Sequence, residues 1–174
     1  KTTFKKRYVV ENQKLFRVSR LDDHYISERI TNQIIKYLNN FSKEINGIII
    51  SDFVYGLVTE ELIKGVTNFA KKNKIKLFGD CQSSSQIGDI SRMKEFFLLS
   101  PNEKEARLSI KNREISLNEL SLDLIRKTDC KNLIMKLGAD GFIVYESNKL
   151  GTQNIQAFPA LSVNPIDVAG AGDT

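Results

Sequence analysis

The residues best suited to chemistry close the chain: Asp167-Val168-Ala169-Gly170-Ala171-Gly172-Asp173-Thr174. Two glycines flank an alanine, and an aspartate stands on either side. Glycine tolerates positive φ and lets bare N–H groups approach a ligand. Several N–H groups turned one way form an anion cradle, stronger where a helix begins. Asp173 would stand at the rim of that cradle. A carboxylate there can accept a proton while the cradle holds the charge of a transferring phosphoryl group. The same eight residues also read as a Gly-rich turn, capped by Asp and Thr ahead of an ordinary helix.

A second constellation is Asn102 with Glu105. At a spacing of three, both side chains share one side of a first helical turn. An amide and a carboxylate at the ligand edge of a sheet suit Mg²⁺, which keeps its waters and takes few protein oxygens. The competing reading is a capping box, Asn at the N-cap and Glu three residues on. Asp52 and Asp80 each end an apolar run that reads as a strand, and ligands of open α/β sheets gather at such strand ends. His24 is the only histidine. It sits in the polar joint from Leu21, and it reads as a surface residue. The stretch from Ser83 to Asp89 is a polar loop, either the lining of a pocket or plain surface.

These residues need elements to position them. Phe4 to Val10 and Lys14 to Val18 read as a hairpin, with Phe4, Lys6, Tyr8 and Val10 on one face. A helix capped by Ser27 runs to about Glu44 and turns Ile30, Ile34, Leu38 and Phe41 to the core. Gly47 to Asp52 reads as a buried parallel strand. A helix capped by Thr59 runs to about Asn73, and a strand follows from Ile75 to Asp80. Phe96 to Leu99 is a strand that stops at Ser100-Pro101. Ser116 to Thr128 is a helix with Leu117, Leu120, Leu124 and Ile125 inward. Asn132 to Leu137 is a strand, Gly138 to Gly141 a tight turn, and Phe142 to Tyr145 a returning strand. Ala157 to Val163 reads as irregular or extended. The alternation of strand and helix from Gly47 onward predicts an α/β fold with a mainly parallel sheet.

Composition narrows the function classes. The chain has 174 residues, 41% of them hydrophobic and 27% charged, enough for one core. Its net charge is +5, but Lys and Arg are spread without a concentrated block, which speaks against nucleic acid as a partner. A phosphorylated substrate accounts for some of that charge. Cys81 and Cys130 lie too far apart to suggest a disulfide framework or metal spacing. Reduced thiols in a cytoplasmic protein are the expectation. No run approaches a membrane span, the start does not read as a signal peptide, and no membrane partner is expected.

Five stretches, in order, resemble the ribokinase-like (PfkB-type) carbohydrate kinases. DVAGAGDT is similar to the family's C-terminal signature. Ser51-Asp52-Phe53 with Gly56 resembles its "SDYxxG" turn, and Ser100-Pro101-Asn102-Glu103-Lys104-Glu105 its "TPNxxE" segment. Lys136-Leu137-Gly138-Ala139-Asp140-Gly141 resembles "TLGxxG". Asn12-Gln13-Lys14-Leu15-Phe16-Arg17 resembles the "NQQLLR" stretch of the heptose 7-phosphate kinases, which serve ADP-heptose synthesis. The resemblance implies a ribokinase-like α/β fold: a mainly parallel sheet flanked by helices, with a small β lid. Residues 1–20 would be part of the lid and 21–174 a partial kinase domain.

It also implies ATP-dependent phosphorylation of a sugar or sugar phosphate hydroxyl, with Mg²⁺. Asp173 would be the base, within a cradle from Gly170, Ala171 and Gly172. Lys136, Gly138, Gly141, Asn102 and Asp167 would hold the nucleotide. Glu105 and Asn102 would place Mg²⁺ through water. Arg7, Asn12, Arg17, Asp52 and Asp80 would face the sugar. A homodimer through the lid is expected of the intact protein. Two departures stand out: Tyr55 where members often carry Lys, and Asp80-Cys81-Gln82 where they often read "DPK". Family members extend beyond both ends of this stretch, so little turnover is expected of the stretch alone. Kinases of ribose, fructose or ketodeoxygluconate share the other motifs. A non-catalytic sugar- or nucleotide-binding module, or a purely structural domain, are the rivals from other classes.

Overall fold

A computed structural model describes residues 3–11, 13–83, 86–147 and 153–160. Asn12 and the whole Asp167–Thr174 signature, with Gly170, Ala171, Gly172 and Asp173, lie outside the described residues.

Strands β1 (Phe4–Val10) and β2 (Gln13–Arg20) form a two-stranded antiparallel ribbon. Its register pairs Tyr8 with Phe16 and Val9 with Lys14, so Leu15 is an extra residue that bends the ribbon. The larger sheet has six strands in the order β3-β4-β5-β6-β7-β8. Strands β3 (Gly47–Asp52), β4 (Lys76–Cys81), β5 (Leu98–Leu99) and β6 (Asn132–Lys136) run parallel. Strands β7 (Phe142–Ser147) and β8 (Gln153–Phe158) join antiparallel. Helices α1 (Glu28–Asn40), α2 (Glu60–Asn73), α3 (Glu103–Ile110) and α4 (Leu117–Thr128) complete the described elements, with short 3-10 turns at Ile90–Arg92 and Gly138–Asp140.

The core lies on one face of this sheet. Alternation turns Ile50, Leu77, Leu99, Leu133, Met135 and Tyr145 to that face, and all are buried. Against them pack Leu62, Val66 and Phe69 of α2, Ala106 of α3, Leu120 and Leu124 of α4, and Met93 and Phe96. Each buried Leu, Val, Met or Phe among them contributes about 1.5–3 kcal/mol when withdrawn from water. Thr59 caps α2 by accepting from the Leu62 N–H at 3.2 Å, and Lys74 closes that helix in the left-handed region at φ 57°. Those caps fix where α2 delivers the chain to β4.

Three expectations need correction. The first helix stops at Asn40 rather than near Glu44, and Ser27 makes no side-chain cap bond. The Asn39 amide bonds the Ile35 carbonyl instead, and consecutive asparagines are poor helix formers. Phe41 therefore leaves the helix and is part exposed. Strand β3 is parallel but buried on one face only. Among the described residues it is the sheet's edge, and Ile49 is 77% exposed on the face that carries none of the described helices. Finally, Ala157 and Phe158, at the start of a stretch read as irregular or extended, end a sixth strand, β8, that begins at Gln153.

Candidate active site

Parallel strands bring their C-terminal ends to one edge. Asp52 ends its strand there, Asp80 is the penultimate residue of β4, and Lys136 is the last of β6. Lys136 Nζ reaches across β5 to Asp80 Oδ1 at 2.8 Å. Its backbone N–H donates to the Pro101 carbonyl at 2.9 Å, and a parallel bridge joins it to Asn102. Sequence reading assigned Lys136 and Asp80 to different ligands. The fold makes them one ion pair.

Asn102 and Glu105 form the capping box. Asn102 Oδ1 accepts from the Glu105 N–H at 2.9 Å, and Glu105 Oε2 accepts from the Asn102 N–H at 2.8 Å. Glu105 Oε1 accepts a third N–H, from Ser83, at 3.1 Å. The carboxyl group is buried. Burial raises its pKa above the ordinary value; the hydrogen bonds from Asn102 and Ser83 and the charge of Lys136 oppose that rise. Both carboxylate oxygens are thus engaged. Among the described residues no group of three or more His, Cys, Asp or Glu side chains gathers to hold a metal directly. The donor set fits an ion that keeps its water shell, held at one remove.

Beside this pair lies a cleft of about 710 Å³ between α3 and the turn after β6. Asn102, Lys104, Arg107, Lys136, Leu137 and Gly138 are among its walls. Gly138 sits at φ 64°, and a Cβ there would meet nothing within 4 Å, so its bare backbone faces open space. Gly141, at φ 89°, works differently: a Cβ would overlap the Phe158 carbonyl oxygen. It closes the turn and is not among the residues lining the cleft. Arg107 Nε donates to Glu103 Oε1 at 2.8 Å, and its Nη1 to the Ile115 carbonyl at 2.9 Å, which ties the 111–115 loop to α3.

Asp52 is 2% exposed. Its carboxylate accepts from Arg92 Nη2 at 2.7 Å and from the Val54 N–H at 2.8 Å, and Cys81 Sγ lies 3.8 Å away. Burial, and next the Asp52 charge, push the Cys81 thiol up to about 12. Sequence reading missed Arg92. The one available signal was the buried Asp52 itself, since an interior carboxylate needs a cationic partner.

On the ribbon, Arg7 stands directly opposite Arg17, and both are exposed. Alternation places Lys5 and Ser19 on that same face. The Lys5 ammonium lies 4.8 Å from the centroid of the Tyr55 ring. The face that carries Lys5, Arg7 and Arg17 is therefore the one that meets the loop after β3, while Lys6 and Arg20 lie on the other face. His24 is exposed and lies 2.5 Å from Asp22. No helix among the described residues is long and apolar enough to cross a membrane.

With this geometry in view, similarities to known proteins carry weight. The sequence pattern of the pfkB family carbohydrate kinases matches residues 9–174. The chain is 30% identical, over its whole length, to the bifunctional protein HldE of Sulfurimonas denitrificans. It is 33% identical over 99% of its length to the HldE protein of Helicobacter hepaticus. It spans about a third of these curated relatives, 35% of each. Among solved structures, phosphofructokinase-2 from Escherichia coli in complex with substrates and products matches 97% of the chain at a TM-score of 0.70 and 17% identity. Ribokinase from Giardia lamblia matches 99% at 0.70 and 15%. The chain covers 54% and 53% of those two, and the likeness is one of fold.

Proposed function

This chain belongs to the pfkB family of carbohydrate kinases, and from that premise we propose that it transfers the γ-phosphoryl group of ATP to a hydroxyl of a sugar phosphate, with heptose 7-phosphate the first candidate. The observation that carries the reading is the convergence of Asn102, Lys136 and Gly138 on one open cleft at the ligand edge of the sheet. A backbone turn with room above it, next to a lysine and a helix N-terminus, suits the polyphosphate of a nucleotide. The heptose assignment draws support from HldE relatives at about a third identity. Arg7 and Arg17, exposed and opposite each other on the ribbon, add to it by placing positive charge on the face that meets the loop after β3.

In this reading residues 1–20 belong to the lid and residues 21–174 to the α/β kinase domain. Asp173 accepts the proton of the attacking hydroxyl, and amides of the Gly170-Ala171-Gly172 turn hold the charge that develops on the phosphoryl oxygens. Asp167 frames the nucleotide side, and Gly141 serves it only by closing the turn that presents Gly138. An Mg²⁺ ion, when bound, would neutralise phosphate charge. Glu105 and Asn102 would hold it through water. Lys136 supplies a positive charge at the phosphates and is itself aimed by Asp80. Arg7, Asn12 and Arg17 face the sugar phosphate. Two copies pair through the lid.

Turnover and calorimetry on the full-length protein test this, with ATP, Mg²⁺ and a panel of sugar phosphates. Asp173→Asn should lower kcat by at least about a hundredfold while ATP binding persists. Wild-type turnover in that variant removes the base assignment. Nucleotide binding without turnover in the unsubstituted protein would favour a binding module instead.

A further inference from the structure

One polar cluster at the ligand edge has no part in phosphotransfer as drawn above: Asp52, Arg92, Glu60 and the Val58 carbonyl. Arg92 Nη2 donates to Asp52 Oδ2 at 2.7 Å and to the Val58 carbonyl at 3.0 Å. Its Nη1 reaches Glu60 Oε1 at 3.3 Å. Asp52 Oδ1 takes the Val54 N–H at 2.8 Å, and the Asp52 carbonyl accepts from the Gln82 N–H at 2.9 Å. One guanidinium thereby grips both ends of the loop from Phe53 to Val58: the start through Asp52, the end through a carbonyl.

That loop is not relaxed. Val54 has φ 61°, a region that β-branched residues avoid and keep only when their surroundings hold them there. The loop is also the joint between the α/β body and the chain leaving the lid. The Gly56 carbonyl accepts from the Ile26 N–H at 3.0 Å, and a Cβ at Gly56 would strike the backbone of Asp23 and His24. Tyr55 lies against Lys5 of β1. The first strand of the lid, through Lys5, and the segment that follows the ribbon thus meet these six loop residues.

We propose that Arg92 is a positioning residue: through Asp52 and the Val58 carbonyl it holds this loop as the seat of the lid, and so sets the lid's cationic face over the acceptor sugar. The loop-holding part stands on geometry alone; the part concerning the sugar rests on the kinase reading. Arg92 touches neither substrate, so its effect is selective. Loss of the grip loosens the sugar side and leaves the nucleotide cleft, on α3 and the turn after β6, as it was.

Arg92→Gln in the full-length protein should raise the KM for the sugar phosphate about tenfold or more and leave the KM for ATP within about twofold, as expected when a misplaced element disturbs one substrate's alignment. Amide hydrogen exchange should quicken over residues 53–58 and 21–26 and stay unchanged in α3 and α4. Asp52→Asn, nearly isosteric, should give the same pattern more mildly, and it serves if Arg92→Gln does not fold. An unchanged sugar KM, or equal rises in both KM values, overturns the proposal. If the unsubstituted protein turns over no sugar phosphate, the kinase reading fails by itself. Exchange then decides the grip: faster exchange at the loop upholds it, and unaltered exchange overturns it.

Discussion

Asp89 shows how a single carboxylate shapes stability. It caps the 3-10 turn at Ile90–Arg92, accepting from the Ser91 N–H at 2.9 Å and the Ser91 hydroxyl at 2.6 Å. Burial alone would raise its pKa, but the Ser91 and Ser109 hydrogen bonds and the Lys127 charge outweigh burial and hold it below 3.8. A carboxyl group lowered on folding stabilises above its ordinary value, and that contribution disappears as pH falls through the lowered value. Glu105 has the opposite sign. Its raised pKa means folding is penalised as pH climbs from 4.5 through the raised value. The two effects occupy separate windows. Urea midpoints followed from neutral into acid should therefore fall below pH 3.8, and Asp89→Asn should flatten that fall. Asn caps as well as Asp, so the same substitution should leave the turn capped and cost, at neutral pH, only the advantage of the charged form. Parallel acid curves for the two proteins would show that Asp89 is not responsible.

At the scale of elements, the turn between β6 and β7 joins scaffold to site. The two glycines that bound it have different jobs, which gives a sharp contrast. Gly141→Ala forces a side chain into the Phe158 carbonyl at φ 89°. It should destabilise the fold by about 2 kcal/mol or more, since both overlap and a left-handed backbone oppose it. Gly138→Ala meets only the left-handed penalty, about 1 kcal/mol, because nothing lies within 4 Å of the added methyl. If open space above Gly138 admits a phosphate, however, the methyl intrudes on it. Thermal denaturation with and without ATP separates these outcomes. Gly141→Ala should shift the midpoint more without ligand, and Gly138→Ala should lose more of the nucleotide's stabilisation. Equal behaviour of the two variants would sink the distinction.

The same turn shows what could be read in advance. Gly138 to Gly141 was legible as a tight turn because glycine spacing is a local signal. So was α2, whose cap and apolar period are also local. The Asn102–Glu105 box was visible as a spacing of three. What could not be read was long-range. The Lys136–Asp80 pair spans 56 positions and the Arg92–Asp52 pair spans 40. Both exist only because parallel strands share an edge. Strand β8 escaped because its order comes from pairing with β7, not from its own alternation.

At the scale of the whole molecule, the ribbon is the odd element. A two-stranded hairpin alone is marginal in water, yet one face of this one exposes Phe4, Tyr8, Phe16 and Val18, with Phe16 57% exposed. Tyr8 and Phe16 stack at 4.4 Å, so this apolar face is already organised. The opposite face carries Lys5, Arg7 and Arg17 and meets the loop after β3. A second copy pressed on the Tyr8–Phe16 face would bury its aromatic residues, with Lys6 and Arg20 at its margins, and leave Lys5, Arg7 and Arg17 clear, which is why the dimer proposed above runs through the lid. A stable contact of this kind needs roughly 1,200 Å² of total buried surface. Phe16→Asp places a charge in its middle and should move the dimer toward monomer by at least about tenfold in dissociation constant, as expected of a buried aromatic anchor. Sedimentation across a concentration series reads that shift directly. A monomeric unsubstituted protein, or a Phe16→Asp dimer of undiminished affinity, would rule this interface out. Because the lid also carries the arginines proposed to face the sugar, dissociation should weaken sugar binding before nucleotide binding: on dilution the KM for the sugar phosphate should rise while that for ATP holds.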